Sequence, residues 1–186
     1  MNNQRLFALF LALVLSSLAL HAADFKVVSA PNPADKNVFK GFSLYCHDGF
    51  KAVVDRPEID GVRVLKCTLT KAVSPSPGAQ RVQLRLVVPQ GQIQALTEYR
   101  LRFRCRTDRP AVFTFRCQAS VSPFETVTEH SAGVAVCTTK WQYVEHCFTP
   151  YLSNDSVAFW MPNFELGWLG QDNAVYLADV VLEALD

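Results

Sequence analysis

The sequence predicts an all-β fold, an antiparallel β-sandwich of about nine to eleven strands with little or no helix. Three observations carry that expectation. Apolar residues recur at period two along most of the chain, helical periodicity is nearly absent, and clusters of Ser, Pro, Gly, Asn and Asp separate the alternating runs. Period two places successive side chains on opposite faces of a strand, so each run reads as one buried and one wet face.

Taken in order, strands are expected at Phe42–Cys46, Phe50–Val54 and Val62–Leu69, before a turn-rich Ser74-Pro-Ser-Pro-Gly78 loop. Val82, Leu84, Leu86 and Val88 then alternate with Arg81, Gln83 and Arg85. Tyr99, Leu101, Phe103 and Cys105 alternate with Arg100, Arg102, Arg104 and Arg106, and the Thr107–Pro110 segment supplies a turn. Phe113, Phe115 and Cys117 continue the pattern, followed by strands at Trp141–Phe148, Val157–Trp160 and Val175–Leu182. Turns are expected at Ser153–Asp155 and Leu169–Asn173. No strand–helix alternation supports a doubly wound sheet, and no repeat has a propeller or solenoid period.

The N-terminus has a different character. Met1–Arg5 precedes an apolar run from Leu6 to Leu20 that stops at His21-Ala22-Ala23. A stretch of about 15 residues is short for a membrane span, and the small residues offer a cleavage site. Residues 1–22 are therefore expected to be a signal peptide, and residues 23–186 a single domain that is secreted or periplasmic, without a membrane span.

The chain holds 18 Lys+Arg against 17 Asp+Glu, and 49% of its residues are hydrophobic. A near-zero balance argues against a nucleic-acid partner. That balance hides segregation: residues 23–79 carry +2, residues 80–116 carry +6, and residues 117–186 carry −8. The arginines at 100, 102, 104 and 106 share one strand face. They could hold carboxylates or sulfates in bidentate fashion, with Arg102 and Arg104 as central candidates; alternatively, Glu125, Glu129, Glu145 or Glu165 on neighbouring strands neutralises them. Six cysteines, Cys46, Cys67, Cys105, Cys117, Cys137 and Cys147, are disulfide candidates in an oxidising compartment, and six permit fifteen pairings. The pairs Cys46-His47 and His146-Cys147 lack the spacing of a zinc site.

Four segments, taken together, resemble jelly-roll carbohydrate-binding modules of the galactose-binding-like fold. They are Gly41–Tyr45 leading through Gly49–Asp55 to Asp60–Lys66, Ala95–Asp108, whose Leu96-Thr-Glu-Tyr99-Arg-Leu101-Arg-Phe103 is similar to the family's L-x-x-x-Y-x-L-x-F form, Trp141-Gln-Tyr143 through Phe148-Thr149, and Val175–Glu183. The resemblance covers essentially the whole chain after residue 22. It implies a non-catalytic protein that binds a polysaccharide or glycan; a protein-interaction or structural module is the alternative, because this fold hosts both. It also implies a structural calcium held by an Asp of the closing strand. Here the first position of that motif is Ala178, which leaves Asp179, with Asp35, Asp48, Asp55 and Asp60 as further acids.

Sugar binding needs exposed rings for pyranose stacking and polar groups for the hydroxyls. Trp168, between Gly167 and Leu169-Gly170, is the first candidate, followed by Trp160, Tyr45 and Tyr151, with Asn163, Gln171, Asp172 and Asn173 as hydroxyl partners. Trp141 is expected to pack on the body of the domain. No nucleophile or phosphate-loop motif is present, and an enzyme is not expected. Asn154-Asp-Ser156 matches a glycosylation acceptor.

Overall fold

A computed structural model describes residues 42–47, 49–72, 81–128 and 133–185. The expected signal peptide, the Ser/Pro loop at 74–78, Asp35, Asp48 and Glu129 lie outside the described residues. Among the described residues no helix is long and apolar enough to cross a membrane.

The described chain is all β, in two five-stranded antiparallel sheets and one small hairpin. The first sheet runs β1 (Phe42–Cys46), β6 (Val82–Val88), β11 (Phe159–Glu165), β8 (Ala111–Ala119), β9 (Gly133–Cys137). The second runs β10 (Gln142–Phe148), β7 (Tyr99–Thr107), β12 (Ala174–Ala184), β5 (Leu65–Lys71), β2 (Lys51–Asp55). Neighbours in each sheet are mostly distant in sequence, as in a jelly roll, where the chain crosses repeatedly between layers.

The expected alternation sets the burial. On β7, Tyr99, Leu101, Phe103, Cys105 and Thr107 are buried while the four intervening arginines are half-exposed. Phe103 sits in the middle of the core, edge-on to Phe115 at 5.3 Å and to Phe164 at 5.2 Å. These ring pairs come from both sheets and fasten the layers together.

Among the described residues the strands number twelve, more than the nine to eleven expected. The run expected at Val62–Leu69 breaks at Val64, because β4 (Val62–Arg63) folds back on β3 (Glu58–Ile59). The two-residue turn between them, Asp60-Gly61, has both φ angles positive, as hairpin turns of this kind require. Val64 then joins Ala174, Tyr176 and Ala178 in a second apolar cluster, with Ile59, Val62 and Trp141 packed on it. The first half of β12, Ala174–Ala178, is thereby buried on both faces, and Trp141 packs as expected. Strand β9, which the sequence reading did not resolve, pairs with β8 through Val112↔Val136 and Thr114↔Val134.

Candidate functional site

The two sheets present contrasting outer faces. On the β7 sheet three of the four arginines are ion-paired, two of them sharing one carboxylate. Glu183 on β12 pairs with Arg100 at 2.6 Å and Arg102 at 2.9 Å, and Asp179 pairs with Arg104 at 2.5 Å. The Glu183 carboxylate accepts from Arg100 and raises its pKa. Arg106 lies over the rings of Tyr176, at 4.7 Å, and Trp141, at 5.3 Å, and the Tyr176 hydroxyl donates to Asp108. The closing strand thus supplies the counter-charges; of the acids expected in that role, Glu145 stands opposite Arg102 in register and Glu165 lies in the other sheet.

The β6–β11–β8 face is different: it carries an open groove of about 740 Å³. Register explains which residues meet there. One row across the sheet reads Tyr45↔Gln83↔Glu165↔Thr114, the next Ser43↔Arg85↔Asn163↔Arg116, and the next Val87↔Trp160↔Gln118. A bulge in β11 between Trp160 and Asn163 adds a residue on that strand and keeps both side chains on the outer face. Phe124, from the segment after β8, stacks on Trp160 with centroids 5.6 Å apart and planes at 14°. The Gln118 amide donates to the Phe124 carbonyl and pins that segment to the sheet.

Arg85 occupies the middle of the groove. Its guanidinium carbon lies 3.8 Å from the Trp160 ring centre and 4.5 Å from that of Tyr45. Both Nε and Nη2 donate to the Gln83 side-chain carbonyl. Among the described residues no carboxylate pairs with it, and partial burial lowers its pKa, an effect that Tyr45 opposes. Arg116, on the same face, is charge-balanced: it meets the buried Glu165 at 2.6 Å, and Thr114 donates to the other Glu165 oxygen at 2.7 Å. Asn163 donates to Gln118, and its buried carbonyl oxygen has no partner among the described residues.

Of the residues singled out from sequence, Tyr45, Trp160 and Asn163 therefore come together, and Arg85 and Arg116 from the arginine-rich segment join them. The groove residues that sequence reasoning missed are Gln83, Gln118, Pro123, Phe124 and His47. The outward phase of β6 and β8 marks the two glutamines, but no local pattern marks Phe124.

The other candidates lie elsewhere. Trp168, exposed, stands on the turn between β11 and β12 with exposed Gln171 and Asp172. Asn173 in that turn is buried, with its amide bonded to Arg109 and Leu169, so it serves the fold and has no free hydroxyl partner to offer. Tyr151 donates to the Thr126 carbonyl and braces the loop beside the sheet. Asn154 is fully buried: its side chain accepts from Gln92 and Ile93 and donates to Pro89, a position closed to glycosylation.

Only part of the calcium site that the resemblance implies falls on the described residues, since the N-terminal segment, Asp35 and Asp48 lie outside them. Asp179 is engaged by Arg104, and no three His, Cys, Asp or Glu side chains converge among the described residues. All six cysteines are free thiols in this structure. Cys105 on β7 and Cys137 on β9 nevertheless meet across the core with sulfurs 2.8 Å apart, whereas Cys117 is buried and Cys147 faces solvent.

No family model matches the chain, and no curated protein does. Solved structures do. A CBM4 structure is 18% identical, with 77% of this chain and 86% of that one covered and a TM-score of 0.58. The N-terminal cellulose-binding domain of Cellulomonas fimi β-1,4-glucanase C is 21% identical over 78% of this chain and 90% of that one, with a TM-score of 0.54. The CBM22-1 xylan-binding domain of Paenibacillus barcinonensis Xyn10C is 13% identical over 78% and 86%, with a TM-score of 0.51. At these identities the likeness is one of fold, and the fold is the jelly roll of carbohydrate-binding modules.

Proposed function

We propose that the protein is an exported, non-catalytic carbohydrate-binding protein whose ligand lies in the groove on the β1–β6–β11–β8 face. The observation that carries this reading is the groove itself, open to solvent and floored by Tyr45, Trp160 and Phe124 with Gln83, Arg85 and Gln118 between them. Rings beside amide and guanidinium groups match the chemistry of a sugar, which has an apolar C–H face and a polar rim. The fold-level likeness to cellulose- and xylan-binding domains supports the same reading. Export supports it too, because the expected leader would deliver the chain to a compartment where polysaccharides are found.

Catalysis has little to work with here. No carboxylate lines the groove among the described residues, and Glu165 on β11 is buried against Arg116 and Thr114, a poor state for an acid or base that must reach a glycosidic bond.

The test is binding of the purified protein to a panel of soluble polysaccharides, with Trp160→Ala for the groove and Trp168→Ala and Arg102→Ala for the other surfaces. Loss of binding by Trp160→Ala alone is expected. Binding that survives Trp160→Ala and disappears with Trp168→Ala would move the site to the β11–β12 turn.

A further inference from the structure

Resting on that reading, we infer that the groove selects an anionic glycan, with a uronate carboxylate seated on the guanidinium of Arg85. The inference starts from what Arg85 does to the rings around it. In a groove that bound a neutral sugar by stacking, the ring faces would stand open. Here the guanidinium itself lies over Trp160 and Tyr45, at 3.8 and 4.5 Å. The rings hold a cation, and the cation is what the groove presents.

Its hydrogen-bonding state fixes the geometry of the missing partner. Nε and Nη2 both donate to the single carbonyl oxygen of Gln83, which fixes the plane of the fork. A guanidinium has five N–H donors, so the Nη1–Nη2 edge keeps a pair of parallel donors. Among the described residues Arg85 has no carboxylate, unlike Arg116, which shares the face and has Glu165. A planar, two-oxygen anion is the partner that satisfies such an edge in bidentate fashion. The site also favours an anion over water, because partial burial already costs this cation solvation. The pyranose ring that carries the carboxylate would then lie beside Tyr45 and Phe124, both exposed at the groove wall.

The experiment compares four probes by titration calorimetry on the whole purified protein: polygalacturonate, its fully methyl-esterified form, dextran sulfate and a neutral xylo-oligosaccharide. Polygalacturonate is expected to bind about tenfold or more tighter than its ester, with an advantage that shrinks as salt rises. Arg85→Gln is expected to abolish that advantage, and Arg85→Lys to keep only part of it. Equal binding of ester and acid, or tighter binding of the neutral oligosaccharide, would overturn the anionic assignment while leaving sugar binding intact. Tighter binding of dextran sulfate would overturn the carboxylate. No binding of any probe would overturn both this inference and the reading beneath it. The acid–ester comparison needs no variant, so it stands even if Arg85 substitutions fail to fold.

Discussion

Arg85 and Trp160, 75 positions apart in the chain, stack with the guanidinium carbon 3.8 Å from the indole ring centre. Neighbouring strands bring them together: β6 and β11 pair antiparallel, with Trp160 opposite Val87 and Asn163 opposite Arg85, so the two side chains meet diagonally on the outer face. A cation over an indole at a half-buried site contributes about 1 kcal/mol.

A double-mutant cycle tests that contact directly. Arg85→Gln, Trp160→Leu and the double variant, compared by urea unfolding, are expected to give a coupling of about 1 kcal/mol. A coupling near zero would mean that the two groups are adjacent without interacting, and that Gln83 alone holds Arg85 in place.

The Arg116–Glu165 pair behaves differently because it is buried. Glu165 has a side chain only 2% exposed, so removing its charge while keeping its shape strands a guanidinium in a poorly solvated place. Glu165→Gln is expected to destabilise the protein by about 3 kcal/mol. Chemical denaturation checks it, and a loss below about 1 kcal/mol would show that water reaches Arg116. The paired arginines on the other sheet give a contrast: Glu183→Gln is expected to cost less than about 1 kcal/mol, because exposed ion pairs contribute little.

Gly133 opens β9 directly over a core ring. A Cβ built there would lie 2.2 Å from Phe115 Cζ, and Phe115 is fixed by edge contacts with Phe103 and Phe164. Gly133→Ala is therefore expected to lower stability by about 1–3 kcal/mol, the usual range for overpacking a core. Partial recovery in Gly133→Ala/Phe115→Leu would confirm the clash. No loss in the single variant would show that β9 can move away from the core.

How much of this was legible beforehand depends on what each feature needs. Strands such as Phe42–Cys46 and Val82–Val88 coincide with their sequence patterns, because alternation is a local property that one strand carries by itself. The site needed register. Tyr45, Arg85 and Trp160 come from three strands, and no local signal says that β6 lies between β1 and β11. The same limit holds for the arginine row: its local pattern points to Glu125, Glu129, Glu145 and Glu165 as partners, but its ion pairs are made by Asp179 and Glu183 on the closing strand. Trp168 stands out through its Gly-rich setting and is indeed exposed, yet it is not among the groove residues, since exposure can be read from local sequence and convergence cannot.

The sulfurs of Cys105 and Cys137 give the last prediction. They join the two sheets, with Cys137 sharing the proton of Cys105, so that Cys137 has its pKa lowered and Cys105 has its own raised. In the presence of a small-molecule disulfide, Cys137, on losing its proton, attacks one of its sulfurs and releases one thiol. Cys105, on losing its proton, then displaces the second thiol and closes the protein disulfide. A cross-link over 32 positions is expected to add about 3 kcal/mol of stability. Cys67 sets the pH range for reading this in the reduced protein. Burial pushes its pKa up to about 12 from an ordinary 9.0. A pKa raised in the folded state contributes stability that is full below about pH 9 and is lost as pH rises from there towards 12. Oxidation should accordingly be scored at pH 7–8, by peptide mapping for a Cys105–Cys137 bridge and by the shift in urea midpoint. A bridge between other cysteines, or a midpoint that does not move on oxidation, would refute the pairing. A Cys67→Val variant should make the decline between pH 9 and 12 shallower, with the buried Cys117, whose pKa is also raised, contributing to what remains, and an unchanged slope would assign the decline to other groups.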